Sequence, residues 1–162
     1  MNKTSAVLIC GQLNLTKDKF DRYYIPLIDE VIKNNMTIYV GNAEGCDTFA
    51  VEYLFKVGYE NVTVVNKKNE FKFSFTQNKW KLISGFNGYP ERDKYMIDHC
   101  NKVIGFIGND KRSLGSGTFL NILTLEIGSD KAFEFQKNIR ANSEYEIKDN
   151  KIIECIKKFT IK

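Results

Sequence analysis

"MTIYVGNAEGCDTFAVEYLFKVGYENVTVVN", residues 36 to 66, decides the fold. Its two ends, "MTIYVG" (36–41) and "NVTVVN" (61–66), are short apolar runs of the kind that form buried strands. Between them "CDTFAVEYLFKVG" (46–58) reads as a helix closed by Gly58. Strand, helix and strand make a βαβ unit, in which the crossover returns the chain to the same edge and the strands run parallel.

The same alternation continues outward on both sides. Upstream, "SAVLIC" (5–10) is a further strand, and "KDKFDRYYIPLIDEVIKNN" (17–35) places Phe20, Tyr23, Tyr24, Leu27, Ile28, Val31 and Ile32 on one helical face. Thr16 suits the N-cap, and Pro26 predicts a kink or a late helix start near it. Downstream, residues 67 to 89 break the rhythm with Phe71, Phe73, Phe75 and Trp80, room for a small strand and a loop. "PERDKYMIDHC" (90–100) reads as a helix with Pro90 in its first turn, and "KVIGFIG" (102–108) as a strand that leads into a glycine turn and helix over 111–128. "KAFEFQKNI" (131–139) is read as the last sheet strand and "NKIIECIKKFTIK" (150–162) as a closing helix with a short end. The expectation is one α/β domain over 1–162, a Rossmann-like three-layer sandwich with a mainly parallel sheet.

Composition narrows the chemistry. The chain has 162 residues, 43% hydrophobic and 27% charged, which is enough for a full core. A net charge of +4 is too mild to argue for nucleic acid, and no apolar run has membrane length. The four cysteines, Cys10, Cys46, Cys100 and Cys155, lack CxxC spacing, and the one histidine, His99, leaves a zinc site short of ligands. No metal or cofactor is expected, and the free cysteines point to a reducing, cytoplasmic location.

Ligands of open parallel sheets bind beyond the carboxyl ends of the strands. Three turns lie there: "CGQLN" with Gly11 and Gln12, "GNAEGCD" with Gly41, Asn42, Gly45 and Asp47, and "GNDKRSLGSGT" with Gly115, Ser116, Gly117 and Thr118. In the third, the glycines let the chain approach a phosphate closely, the hydroxyls add donors, and the helix dipole adds roughly half a positive charge. The same "GSG" also suits a plain turn cap. Arg92 offers a forked, permanently charged donor for phosphate or carboxylate. Glu91 and Asp47 are the candidate carboxylates for acid or base work, although Glu91 also suits the helix dipole and Asp47 suits a helix cap. Phe71, Phe73, Phe75, Trp80, Phe86 and Tyr89 suit a subunit interface first and base stacking second.

The stretch "YPERDKYMIDHCNKVIGFIGNDKRSLGSGT" (89–118) resembles the SLOG superfamily, which includes the Lonely Guy phosphoribohydrolases, bacterial proteins formerly called lysine decarboxylases, and the DNA-processing protein A group. Glu91, Arg92 and Met96 match an ERKxxM-like helix, and Gly115, Gly117 and Thr118 match a GGxGTxxE loop. "VGNAEGCDTFA" (40–50) is similar to the superfamily's GGAxGxDxxA segment. The resemblance implies a nucleotide site, with Arg92 near the substrate phosphate, and a homo-oligomer. It also exposes a departure: Asn121 stands where the phosphoribohydrolases carry a glutamate that acts on the ribose. Asparagine cannot take up a proton or offset an oxocarbenium-like charge. "SLGSGT" is also similar to the "SLGxG" stretch of deoxynucleoside-monophosphate N-hydrolases, whose following glutamate has Phe119 nearest to it. The reading is therefore a binder of a nucleotide or nucleotide-derived ligand, sensing or sequestering it. The alternatives are a nucleoside 5′-monophosphate N-glycosidase and, more remotely, a single-stranded nucleic-acid binder.

Overall fold

The computed structural model describes residues 5–67, 79–142 and 145–161. Phe71, Phe73 and Phe75 lie outside the described residues, and so does any account of their part in an interface or a base platform. The chain forms two compact units, Met1–Ile104 and Gly105–Lys162.

The first unit is an α/β fold built on a five-stranded parallel sheet: β1 (Ala6–Ile9), β2 (Thr37–Gly41), β3 (Val62–Val65), β4 (Lys81–Ile83) and β5 (Lys102–Ile104), in the order β4-β3-β2-β1-β5. β1 and β3 are buried along their whole length, as the continuous apolar runs require of a parallel sheet covered on both faces. The chain steps outward from β1 to β4 and then returns across the sheet to β5. Right-handed crossovers put α2 (Ile25–Lys33) and α3 (Cys46–Lys56) on one face and α4 (Tyr89–His99) on the other. The side chains agree: Tyr53 of α3 donates to the Asp29 carboxylate of α2, whereas Tyr39 of β2 turns its ring toward His99 of α4. The sheet and its two faces of helices are Rossmann-like.

Thr16 caps α1 (Lys17–Lys19), its hydroxyl accepting from the Lys19 N–H. A π-helical turn over Phe20–Tyr24 follows, and α2 then starts with Pro26 in its first turn, where the missing N–H costs no helix bond. The π turn stacks Phe20 on Tyr24, both fully buried, and the Tyr24 hydroxyl donates to the Cys10 carbonyl at the end of β1, 2.9 Å away. Trp80 is buried and donates its indole N–H to the Tyr59 carbonyl, so this aromatic is core and not a base platform.

The second unit holds α5 (Lys111–Leu114), α6 (Gly117–Ile127), α7 (Ser129–Ala141) and α8 (Asn150–Phe159). The strand expected over 102–108 stops at Ile104, and Ile107 forms a separate parallel bridge with Thr160. The strand expected over 131–139 is a helix, α7. It buries Ala132, Phe135, Gln136 and Ile139, the three-and-four spacing of a helical face, while Phe133 is 67% exposed. Phe135 meets Phe119 of α6 edge to face. Among the described residues no helix is long and apolar enough to cross a membrane.

Candidate functional site

At the carboxyl end of β2, Gly41 has no side chain because there is no room for one. A Cβ there would lie 2.5 Å from Asp47 Oδ2 and 2.9 Å from Arg92 Nη1. Asp47 stands in the first turn of α3 and Arg92 in the first turn of α4, so the two helices bring an acid and a base to one glycine. The turn between β2 and α3 bends through Gly45, at φ +73°, where a Cβ would strike the Leu13 carbonyl oxygen at 2.3 Å. Only glycine fits both the angle and the space. The loop after β1 thereby closes against the loop after β2.

Arg92 is held with little freedom. Its Nε and Nη2 both donate to Asp93 Oδ1, at 3.1 and 2.8 Å, and its guanidinium lies 4.6 Å from the centre of the Tyr89 ring. Lys67 places its ammonium over the same ring at 4.1 Å. One corner of the guanidinium remains. Among the described residues the buried Nη1 has no hydrogen-bond partner, and neither has either amide atom of Asn42, the residue after Gly41. Arg92 is 7% and Asn42 3% exposed. A buried donor left unmatched costs about 1–3 kcal/mol, and more when it is charged.

The carboxylates serve backbone groups. Asp47 Oδ2 accepts from the Ala43 N–H at 3.1 Å, bracing the turn, and Glu91 accepts from the Asn87 N–H at 3.0 Å, closing the start of α4. Burial pushes the Cys10 thiol well above its ordinary value, and the carboxylates of Asp93 and Asp47 push it further. Gly11 is explained by packing: a Cβ would lie 2.5 Å from the Tyr24 hydroxyl and 2.6 Å from Cys46 Sγ. The Gln12 carbonyl accepts from the Leu15 N–H in the same loop. His99 sits exposed, its Nδ1 2.7 Å from the Tyr95 carbonyl and its ring against Tyr95.

In the second unit, Ser116 is the N-cap of α6. Its hydroxyl accepts from the Phe119 N–H at 3.2 Å and lies 2.6 Å from the Ser113 carbonyl, to which it donates. The turn's carbonyls are also engaged: Gln136 Nε2 donates to Leu114 and Ser116, and Arg140 Nη2 to Gly115. Gly115 has an ordinary φ of −91°, so its place in the turn does not depend on the conformational freedom of glycine. Gly117 is the first residue of α6 with open space where a Cβ would be, and Thr118 follows it half-buried. Asn121 is buried on α6, 5% exposed. Glu126 is turned to Lys158 of α8 at 3.4 Å.

The structure thus brings Gly41, Asn42, Asp47 and Arg92 together in the first unit and places Gly115, Ser116, Gly117, Thr118 and Asn121 in the second. Asp93, Tyr89 and Lys67 complete the surroundings of Arg92. Sequence reasoning passed over Asp93, although an acid next to the arginine in chain order was its one visible sign.

No family model and no curated protein matches the chain. Among solved structures it is similar to the X-ray structure of TM1055, a target (VT76) of the Northeast Structural Genomics Consortium, with a TM-score of 0.56 and 15% identity over 75% of this chain and 68% of that one. The likeness is one of fold.

Proposed function

We propose that the chain binds a nucleotide or nucleotide-derived ligand at the carboxyl edge of its sheet, holding the ligand's anionic group on Arg92. The observation that carries this is the guanidinium itself: buried, fixed at two nitrogens by Asp93, stacked on Tyr89, and with Nη1 left unmatched beside Gly41. An arginine held only for stability would have its remaining donor matched or in water. The resemblance to the SLOG superfamily supports the same residue, since the matching arginine lies near the substrate phosphate there.

The site works by direction more than by field. Asp93 offsets the charge of Arg92, and Asp47 and Glu91 stand close by in sequence or space. An anion is then recognised by aimed N–H groups, and its binding depends only weakly on salt, unlike the many-phosphate contacts of nucleic acid. Sensing or sequestering fits better than cleavage, because the nearby carboxylates brace backbone amides and position 121 holds asparagine. The N-glycosidase reading keeps one point in its favour, the Asp47 carboxylate beside Gly41.

Mass spectrometry of ligand extracted from the purified protein, together with incubation in mixed nucleoside 5′-monophosphates and assay of free base, tests both readings. An intact nucleotide and no free base is the expected result. Free base that disappears in Arg92→Ala would establish the N-glycosidase instead. No retained or added nucleotide binding in wild type would overturn the proposal.

A further inference from the structure

Lys67 is half-buried, yet among the described residues no carboxylate stands within ion-pair distance of its ammonium. Lysines ordinarily keep that group in water or give it to an acid. Here it lies over the Tyr89 ring, 4.1 Å from its centre, and the Arg92 guanidinium carbon lies 4.6 Å from the same centre. One ring thus holds two positive charges that repel each other, although a ring face attracts a cation only weakly. The backbone sets the lysine there. Val65 of β3 pairs with Gly41 at the end of β2, and the Asn66 N–H donates to the Ile83 carbonyl of β4 at 2.8 Å. Lys67 therefore leaves the sheet at the same carboxyl edge as Gly41, beside which Arg92 Nη1 has no partner among the described residues.

The two cations differ in one respect. Arg92 is paired with Asp93, so its charge is largely offset and what remains is the direction of Nη1. Lys67 keeps a charge that no ion pair opposes among the described residues, because the carboxylates of this neighbourhood have other partners: Asp47 accepts from the Ala43 N–H and Glu91 from the Asn87 N–H. An anion lying against both receives direction from one and charge from the other, and it turns their repulsion into attraction. Their separation is no greater than the two ring distances laid end to end. A phosphate with a charge-assisted hydrogen bond of about 2.8 Å on either side spans a gap of that order.

We propose that Lys67 is a second anion-holding residue of this site, and that the ligand's phosphate lies between its ammonium and Arg92 Nη1. The inference rests on the anion-binding reading above and deepens it.

The test is calorimetric titration of the full chain with adenosine, guanosine, cytidine and uridine 5′-monophosphates, in wild type, Lys67→Met, Lys67→Arg and Arg92→Ala, at about 50 and about 500 mM sodium chloride. Lys67→Met keeps a flexible stem over the ring and loses the charge. It is expected to bind the preferred monophosphate about tenfold more weakly than wild type at the lower salt. Its affinity should also change less with salt than that of wild type, a difference that a merely structural lysine would not produce. Lys67→Arg, which restores the charge over the ring, should stay within about threefold of wild type. Undiminished affinity in Lys67→Met, or an unchanged salt dependence, overturns the role of Lys67; if Arg92→Ala still abolishes binding, Arg92 stays the anion holder. A melting temperature of the ligand-free protein that falls along with affinity in Lys67→Met, unrescued in Lys67→Arg, overturns it too. Binding that survives in Arg92→Ala, or none in wild type, overturns both readings.

Discussion

Two glycine-bearing turns, "GNAEGCD" at the end of β2 and "SLGSGT" before α6, look alike as phosphate cradles and differ in how their polar groups are used. In the second, the serine hydroxyl caps the helix and three successive carbonyls, of Leu114, Gly115 and Ser116, are bonded by side chains of α7. Among the described residues the buried atom left unmatched beside it is an acceptor, Gln136 Oε1, which has no attraction for an anion. In the first, two donors and an acceptor, on Arg92 and Asn42, are buried without partners among the described residues. Glycine spacing marks places where the backbone can come close to something. Whether that something is a ligand is decided by which hydrogen-bonding groups the protein leaves unmatched.

The sharpest way to break this contrast is at the glycines. Gly45→Ala is expected to cost about 3 kcal/mol or more, since the new Cβ meets the Leu13 carbonyl at a backbone angle closed to alanine. Denaturant titration measures it, and a loss under 1 kcal/mol, on the order of an ordinary surface change, would show that the turn relaxes. Next comes Arg92→Lys, which keeps the charge and loses the fork. Affinity for nucleoside monophosphates should fall about tenfold to a hundredfold, with the fold intact by circular dichroism. Undiminished affinity would move the anion elsewhere.

Smaller effects belong to the second turn. Ser116→Ala removes the cap of α6 and should cost about 1 kcal/mol, whereas Gly117→Ala, with open space at its Cβ, should be neutral or stabilise by up to about 1 kcal/mol. A reversed order in thermal melts would mean that the turn is shaped by something other than its cap. The smallest is a pH effect. The Ser113 hydroxyl and N–H hold the Asp110 carboxyl below its ordinary 3.8, and the Lys151 N–H does the same for Asp149. Both contributions are complete above that value and fade as pH falls through the lower folded values. Denaturation midpoints followed from about pH 5 to about pH 2 should therefore decline less steeply in Asp110→Asn than in wild type.

Much of the fold is legible in the chain because each element of the sheet carries an unmixed pattern. Ala6–Ile9 and Val62–Val65 are apolar without interruption, and Thr16 and Pro26 bracket the π turn where a break was expected. α7 is not legible in the same way, because Phe133 faces solvent and Gln136 is buried, the reverse of what their chemistry suggests. Gln136 is buried for its bonds to the Leu114 and Ser116 carbonyls, and a contact across 20 residues or more leaves no local sign. In the site, Arg92 and Asp47 could be chosen by residue type and motif. That Asp93 takes two of the arginine's nitrogens, and that Glu91 is tied to Asn87, depends on helix geometry that spacing alone does not specify.

The four cysteines are all reduced and all buried. Cys10, Cys46 and Cys100 belong to the first unit and Cys155 to the second. Each is thus a built-in reporter, silent to a thiol-labelling reagent until its surroundings open. Mass-resolved labelling over time would clock the opening of the two units separately, with no probe introduced, and would show which of them a bound ligand keeps shut.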